Sequence, residues 1–304
     1  MVVRSALNPW LLQGNTFNWG SRTYLMGILN VTPDSFSDGG QFNTLQTALA
    51  QAQHLIASGA DILDIGGQST RPGAAQIPLT AELERVIPVV EALRQGLDDK
   101  TMPFEARTTR TNTIPISIDT TRAVVATAAI EAGADMVNDI SGGTADPAML
   151  PTVAELGVPI VLMHMRGTPQ TMQQLTEYED LISTVYEFLQ EQIERAIAAG
   201  INPTKIAIDP GIGFAKTYEQ NLELLNQLSQ FVPLNCPILV GPSRKSFIGR
   251  ILDQPEPKNR VWGTAAACCA AIANAANILR VHDVLEMRDV CRVADAIWRI
   301  DGHG

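Results

Sequence analysis

Residues 24–40, Tyr-Leu-Met-Gly-Ile-Leu-Asn-Val-Thr-Pro-Asp-Ser-Phe-Ser-Asp-Gly-Gly, begin with an apolar run and continue as a polar one. The apolar part, 24–29, is typical of a buried strand. The polar part, 30–40, has no apolar period and is rich in Gly, Asp and Ser, as loops are. The same succession recurs where 61–65 is followed by 66–73, Gly-Gly-Gln-Ser-Thr-Arg-Pro-Gly. Polar loops that leave buried strands often carry reactive groups, so the pattern predicts an active site built from strand ends.

Strands and helices alternate along the rest of the chain. Seven more short apolar segments are predicted strands: 61–65, 114–118, 135–137, 159–163, 205–208, 237–240 and 278–281. The predicted helices are 44–58, 80–95, 122–132, 147–156, 179–199, 219–229, 245–252, 260–274 and 284–300. Eight such units match a (β/α)8 barrel, which typically needs about 250 residues. We therefore predict a TIM barrel, one domain over 1–304. The alternative is an open doubly wound α/β sheet, which usually shows a Gly-rich fingerprint after its first strand.

One connection is longer than the others. Residues 98–113 are polar and exceed the roughly 2–6 residues usual for such a link. A connection from a helix to the next strand lies at the end of a barrel opposite the active site. We interpret this segment as a surface insertion without a catalytic role.

Composition and charge exclude several function classes. The 304 residues are 45% hydrophobic and 18% charged, which is an ordinary globular balance. A net charge of -10 argues against binding to nucleic acid or to an anionic membrane. No signal peptide is apparent, and the Ala-rich segment 265–279 is shorter than the roughly 20 apolar residues of a membrane span. We expect a cytoplasmic protein that binds small molecules.

The cysteines follow no metal-binding spacing, and two of them are adjacent within a predicted helix, which is awkward for a disulfide. We expect all four to be buried free thiols in a reducing compartment. They are Cys236, Cys268, Cys269 and Cys291.

Nearly every predicted strand ends in a charged or hydrogen-bonding residue. Because the strand ends of a barrel surround one opening, these side chains are expected to converge there. The set comprises Asn30, the loop 68–73, Asp119, Asn138, His164, Asp209, the run 243–246, Arg280 and His282. His164, between two methionines, is interpreted as a packed histidine rather than a ligand.

The chemistry of this set points to a flat ring that carries an anion. Asp119, Asn138 and Asp209 offer acceptors to a heterocycle with an N–H-rich edge, such as a 2-aminopyrimidinone. Lys245 could donate to the far edge of that ring. Arg280 and His282, with a predicted helix N-terminus at 245–246, suit a phosphate. Asn30 could serve as an oxygen ligand to Mg²⁺ shared with a diphosphate.

Eight short motifs now point to a family. They are the segments 30–40, 66–73, 117–120, 138–140, 163–165, 209–214, 243–246 and 280–283. In this order they resemble the successive motifs of the dihydropteroate synthase family, and they cover the chain from about residue 24 to 285.

The resemblance implies a (β/α)8 fold and an enzyme of folate synthesis, a transferase that joins p-aminobenzoate to 6-hydroxymethyl-7,8-dihydropterin diphosphate. It implies a homodimer, a requirement for Mg²⁺ at Asn30, and inhibition by sulfonamides. The catalytic residues it implies are Asp119, Lys245, Arg280 and His282. The implied pterin diphosphate site consists of Asn30, Thr70, Asp119, Asn138, Asp209, Lys245, Arg280 and His282. The implied p-aminobenzoate site consists of Phe36, Thr70, Arg71, Pro72, Phe214 and Ser246, with Asp38 also closing from the first loop.

Departures from the family pattern are few. Gln68 occupies a position where Glu is more usual, which puts a strict carboxylate role there in doubt. Pro242 occupies a variable position, and the 98–113 insertion is longer than in compact members.

Three alternatives stay open at this point. They are a corrinoid-linked methyltransferase that also binds a pterin, a metal-dependent barrel hydrolase that uses His164 and His282, and a catalytically silent pterin-binding regulator. The hydrolase would usually carry His-x-His at the first strand, where this chain has Ile28-Leu29-Asn30. The silent regulator would be favoured by loss of Lys245, Arg280 or the loop residues, all of which are present.

Overall fold

The structure, a computed structural model, describes residues 7–32, 41–96 and 113–299. Ten strands lie in these ranges: β1 Trp10–Leu12, β2 Asn15–Phe17, β3 Tyr24–Asn30, β4 Ile62–Gly66, β5 Ile116–Asp119, β6 Met136–Asp139, β7 Ile160–Met163, β8 Ile206–Asp209, β9 Leu239–Val240 and β10 Ile278–Val281. The α-helices there are α1 Gln41–Ala57, α2 Leu79–Gln95, α3 Ala123–Glu131, α4 Met149–Leu156, α5 Leu181–Ala198, α6 Tyr218–Asn226, α7 Ser246–Leu252, α8 Val261–Ala273 and α9 Val284–Trp298.

Strands β3 to β10 form a parallel barrel. From β3 to β8 each strand pairs with the next in chain order, β9 pairs with β10, and β10 pairs with β3. Between β8 and β9 the amide of Ile208 donates to the carbonyl of Pro237 (2.9 Å), and Ile208 bridges Ile238, which closes the ring. The predicted (β/α)8 barrel is therefore confirmed, and the open sheet is excluded.

The strands alternate between two cores because successive side chains point to opposite faces. On β4, Leu63 and Ile65 pack on the helix side, whereas Ile62 packs inside the barrel. Asp64, between Leu63 and Ile65, points into the barrel with Ile62. Because alternate residues of each strand face inward, polar side chains such as Asp64 lie in the barrel interior.

Local signals set several helix starts. The Asp180 carboxylate accepts a hydrogen bond from the amide of Ser183 (2.9 Å) at the start of α5. Thr217 and Gln220 form a reciprocal capping box at the start of α6. The helix bounds consequently match the sequence prediction within a few residues, although the 219–229 helix is shorter and a 3₁₀ segment, Leu228–Leu234, follows it.

The hairpin β1–β2 was not predicted from the sequence. Its two-residue turn, Gln13 and Gly14, has φ of 49° and 75°, the left-handed conformation that tight hairpins require. Trp10 and Phe17 pack against interior side chains such as Met26, and Trp10 Nε1 donates to the carbonyl of Thr204 (2.6 Å). The hairpin thus plugs the end of the barrel at which the strands begin.

Two other expectations have partial outcomes. Cys236, Cys268 and Cys291 are buried and unpaired, but Cys269 is half-exposed because its position on α8 is turned away from the core side that Cys268 faces. The predicted insertion 98–113 lies outside the described residues except for Thr113. None of the helices in the described ranges has the length and apolarity of a membrane span.

Candidate active site

The barrel interior becomes polar where the strands end. Strand register sets Asn30 beside Gly66, Gly66 beside Asp119, and Asp119 beside Asn138. All four positions face the interior, so they form one row around the opening. Gly66 has no side chain, and the Asp119 side chain lies against it: a Cβ at Gly66 would be 3.4 Å from Asp119 Cβ.

Arg280 crosses this row from β10. Its Nε donates to Asp64 Oδ2 (2.5 Å), and its Nη2 donates to Asp119 Oδ2 (2.6 Å). Burial by itself would lower the pKa of Arg280. The carboxylates of Asp64 and Asp119 have the larger combined effect and raise this pKa above its ordinary value. Burial raises the pKa of Asp119 to about 7; Arg280 opposes this rise and Asp64 adds to it. The opening therefore contains one permanent cation between two carboxylates.

Asn138 has an oriented amide. Its Nδ2 donates to Asp64 Oδ2 (3.2 Å), and the side chain is buried. Because the donor end is engaged with Asp64, Oδ1 is the end left to accept a hydrogen bond from a ligand.

Asp209 is positioned by the loop that follows β8. Its Oδ1 accepts a hydrogen bond from the amide of Gly211 (2.7 Å). Gly211 has φ of +76°, and a Cβ there would lie 2.0 Å from the carbonyl oxygen of His164, so only glycine fits. Burial raises the pKa of Asp209 to about 6, while the Gly211 amide and the nearby Lys245 and Lys216 oppose the rise.

Lys245 lies over the ring of Phe214. Its Nζ is 4.2 Å from the ring centroid, a cation–π contact. Burial lowers the pKa of Lys245 to about 8, Arg280 adds to the decrease, and Asp209 and Asp119 oppose it. Lys245 therefore contacts Phe214 and lies close enough to Asp119 and Asp209 for their charges to affect its pKa.

His164 and Lys216 form a buried pair behind Asp209. Lys216 Nζ lies 3.0 Å from His164 Nδ1 and donates to the carbonyl of Phe214 (2.9 Å). Burial lowers the pKa of Lys216 to about 7 and that of His164 to about 2. The interpretation of His164 as a packed histidine is confirmed, and the hydrolase alternative loses one of its two metal ligands.

His282 is neutral in this environment. Burial lowers its pKa to about 3, and the cations Arg244 and Arg280 add to the decrease. Its Nδ1 lies 3.0 Å from Ser243 Oγ, which leaves Nε2 as the ring nitrogen free to meet a ligand. Burial, together with the four positive side chains around it, therefore leaves the ring of His282 neutral in the unliganded site.

The second loop is held by Gln68. Its Nε2 donates to the carbonyls of Ser69 and Ala75 (2.9 Å each), and its Oε1 accepts from the amide of Ile77 (2.8 Å). A carboxylate could not make the two donations, so Gln68 has its own structural role. Gln68 and Thr70 line a cavity of about 410 Å³ together with Asp119.

The structure brings most of the predicted residues into one opening. Seven of them are linked to one another there by strand register, hydrogen bonds, ion pairs or ring contacts: Asn30, Asp119, Asn138, Asp209, Phe214, Lys245 and Arg280. Thr70 lines the adjoining cavity. Arg71, Pro72 and Ser246 are exposed on the surrounding loops and on the first turn of α7. The predicted Phe36 and Asp38 lie outside the described residues.

Three further residues escaped the sequence analysis. Asp64 lies under Arg280, and Lys216 lies behind Asp209. Glu82 is buried on α2 and accepts from Thr120 Oγ1 (2.7 Å) and Arg122 Nη1 (2.8 Å). A signal existed only for Asp64, a charged residue inside an apolar strand; Glu82 and Lys216 lie in a helix and a loop, where charge is ordinary.

Comparison with known proteins identifies the family. A family model described as "Pterin binding enzyme" matches residues 26–282. A dihydropteroate synthase of Synechocystis is 59% identical over 292 residues, 96% of each chain. A Yersinia pestis dihydropteroate synthase, solved with a sulfonamide drug complex, has a TM-score of 0.84 and 42% identity over 95% of this chain and 99% of that one.

A third relative, the Xanthomonas albilineans dihydropteroate synthase solved with 4-aminobenzoic acid, has a TM-score of 0.84 and 40% identity over 96% of this chain and 98% of that one. These matches cover nearly the whole chain, including the strands that form the polar opening. The chain belongs to the pterin-binding enzyme family and, within it, to the dihydropteroate synthases.

Proposed function

We propose that this protein joins p-aminobenzoate to 6-hydroxymethyl-7,8-dihydropterin diphosphate and releases 7,8-dihydropteroate and diphosphate, a step of folate synthesis. The observation that carries the proposal is the acceptor set Asp119, Asn138 Oδ1 and Asp209 beside Arg280 in one opening. Three acceptors match the N–H-rich edge of a pterin, and Lys245 is a donor for its far edge.

The reaction needs stabilisation of a leaving anion more than it needs a base. The bond between the pterin methylene carbon and the diphosphate oxygen breaks, and the amine nitrogen bonds to that carbon and then loses a proton. Arg280, a permanent cation, faces the departing charge. His282, neutral when unliganded, contributes a hydrogen bond from Nε2, and an arriving diphosphate favours its protonation.

The p-aminobenzoate site is proposed at Thr70, Arg71, Pro72, Phe214 and Ser246, with Phe36 from the first loop. Arg71 is exposed and close enough to His282 to lower its pKa, which puts one cation near the opening. Gln68 supports this arrangement by bracing the loop that carries Thr70 and Arg71. Sulfonamides, which resemble p-aminobenzoate, should compete for the same position.

A Mg²⁺ ion is proposed to enter with the diphosphate and to take Asn30 as one ligand. Mg²⁺ favours few protein ligands together with substrate phosphates, and an amide oxygen suits it. Asn30 fits because it ends β3 in the row of polar strand ends, beside Gly66. Among the described residues no three His, Cys, Asp or Glu side chains are grouped as a metal site. When bound, the ion would neutralise negative charge on the diphosphate.

Assembly and location are also proposals. A homodimer is supported by large apolar side chains exposed on neighbouring helices at the C-terminal part of the barrel. These are Ile251, Leu252, Trp262, Val293, Ile297 and Trp298. A cytoplasmic location is supported by four unpaired cysteines.

The decisive test is diphosphate release by the purified protein. Release that requires both the dihydropterin diphosphate and p-aminobenzoate is the expected result, and EDTA should suppress it until Mg²⁺ is restored. Release without p-aminobenzoate would indicate hydrolysis rather than transfer. Binding of the pterin without any release would support the silent regulator, and methyl transfer from a methylated pterin would support the methyltransferase.

A further inference from the structure

Asp64 occupies the centre of the polar interior. Its side chain is fully buried, and one oxygen, Oδ2, accepts both Arg280 Nε (2.5 Å) and Asn138 Nδ2 (3.2 Å). The other oxygen, Oδ1, is buried and has no hydrogen-bond partner among the described residues. Asp64 thus touches two site residues from below.

Arg280 is held at two points of its guanidinium. Nε is fixed to Asp64, whereas Nη2 occupies Asp119 Oδ2. A ligand that uses Asp119 as an acceptor competes with Arg280 for that oxygen. Asp64 lies deeper in the barrel, one inward position below Gly66, and a ligand at the row of Asp119 and Asn138 does not displace it.

We infer that Asp64 is a positioning residue: it retains Nε of Arg280 while the other end of the guanidinium leaves Asp119 for the incoming diphosphate, and it keeps the Asn138 amide turned with its oxygen toward the pterin. The inference rests on the proposed function and deepens it. Asp64 acts through Arg280 and Asn138, so its role needs no contact with the reacting atoms.

The test is the variant Asp64→Asn, which keeps the shape and removes the charge that holds Arg280. We expect turnover to fall roughly 10²-fold, the scale of a misplaced catalytic group. The affinity for dihydropterin diphosphate, measured by calorimetry, should fall more than the affinity for the same pterin without its diphosphate.

A double-mutant cycle separates positioning from general loss of structure. In the Arg280→Ala background, Asp64→Asn should change the affinity for dihydropterin diphosphate by much less than in the wild type, because the side chain it retains is gone. If Asp64→Asn lowers the affinity by the same factor in the Arg280→Ala background as in the wild type, the inference is overturned.

The matched control is Asp295→Asn. Asp295 is also buried and paired with an arginine, Arg299 (2.7 Å), but it contacts Thr23 at the opposite end of the barrel. Corrected for the folded fraction, its turnover should equal that of the wild type. Equal losses in both variants would overturn the inference, as would a fully active Asp64→Asn enzyme. A wild-type protein that releases no diphosphate would instead overturn the proposed function, while the binding cycle would still test the role of Asp64.

Discussion

Burial shifts the titrating groups of the opening toward neutral pH. Asp119 and Asp209 have pKa values raised to about 7 and about 6, and Lys245 has a pKa lowered to about 8. Each shift is led by burial, which disfavours the charged form. The protein therefore holds its binding groups close to the point at which they change charge.

This environment predicts a bell-shaped pH dependence of pterin affinity. As pH falls through about 7 and about 6, Asp119 and Asp209 gain protons and stop accepting N–H groups, so affinity decreases. As pH rises above about 8, Lys245 loses its proton and affinity decreases again. Calorimetry with 6-hydroxymethylpterin from pH 5 to 9 measures this, and Asp119→Asn should remove the part of the acid limb near pH 7 and leave the part near pH 6 that belongs to Asp209. Constant affinity over the range would contradict the assignment.

Arg280 supplies the charge at the leaving group. Replacing it with alanine removes an interaction that strengthens as the diphosphate departs, and turnover should fall about 10²-fold or more. Arg280→Lys keeps the positive charge but loses the planar guanidinium that bonds to both Asp64 and Asp119. Comparing the steady-state turnover of the two variants shows how much of the rate depends on the geometry of the guanidinium rather than on its charge. An unchanged rate in Arg280→Ala would rule out this role.

At the scale of elements, the loop after β4 depends on one side chain. Gln68 makes three hydrogen bonds to backbone groups of its own loop. The loop is also tied across the opening, where the amide of Gly73 donates to the carbonyl of Pro169 (2.9 Å). A loop braced at both points can present Thr70 and Arg71 in a constant position.

Gln68→Ala should raise the KM for p-aminobenzoate several-fold and leave the affinity for the pterin within about twofold. The reason is that the loop loses its internal bonds while the carboxylates of the barrel keep theirs, and bonds of this kind contribute about 1 kcal/mol each. Steady-state kinetics with each substrate varied in turn measures the difference. A rise in the pterin KM alone would contradict it.

The hairpin β1–β2 is an element whose role is stability. Trp10 is 4% exposed and packs with Trp19 edge to face, at 5.1 Å between ring centroids. Trp10→Ala should lower the free energy of unfolding by about 3–5 kcal/mol, the range for a deleted buried aromatic. Urea denaturation gives this value, and turnover per folded molecule should stay unchanged because the site lies at the other end of the barrel.

At the scale of the whole molecule, the exposed apolar side chains of α7, α8 and α9 are the surface on which the proposed homodimer would pack. Trp262 is 75% exposed at the start of α8, although tryptophan side chains are highly buried on average. The proposed homodimer predicts that the wild type has the mass of a dimer in light scattering over a concentration series and that Trp262→Glu shifts it toward the mass of a monomer. Leu11→Glu, on the exposed side of the hairpin, is the control and should leave the mass unchanged.

Local sequence determined the order of strands and helices and the residues at the strand ends. Apolar segments of strand length separated by amphipathic helices admit few folds, and a parallel barrel brings its strand ends to one opening. Asp119, Asn138 and Asp209 could be found because each directly follows such a predicted segment, and Arg280 because it is a charged residue next to the end of one. The hairpin escaped because its strands are only three residues each, too short for a periodic signal.

Only the tertiary structure decided which groups touch and what charge they carry. Asp64 and Arg280 are 216 residues apart in the chain, yet they form an ion pair because β4 and β10 both border β3. The neutral state of His282 depends first on its burial in the closed barrel and then on neighbouring cations such as Arg244, Lys245 and Arg71. Alternation and spacing are local properties and can be read along one chain. Hydrogen-bond partners and burial depend on segments that are distant in sequence, and they are defined only once the barrel has closed.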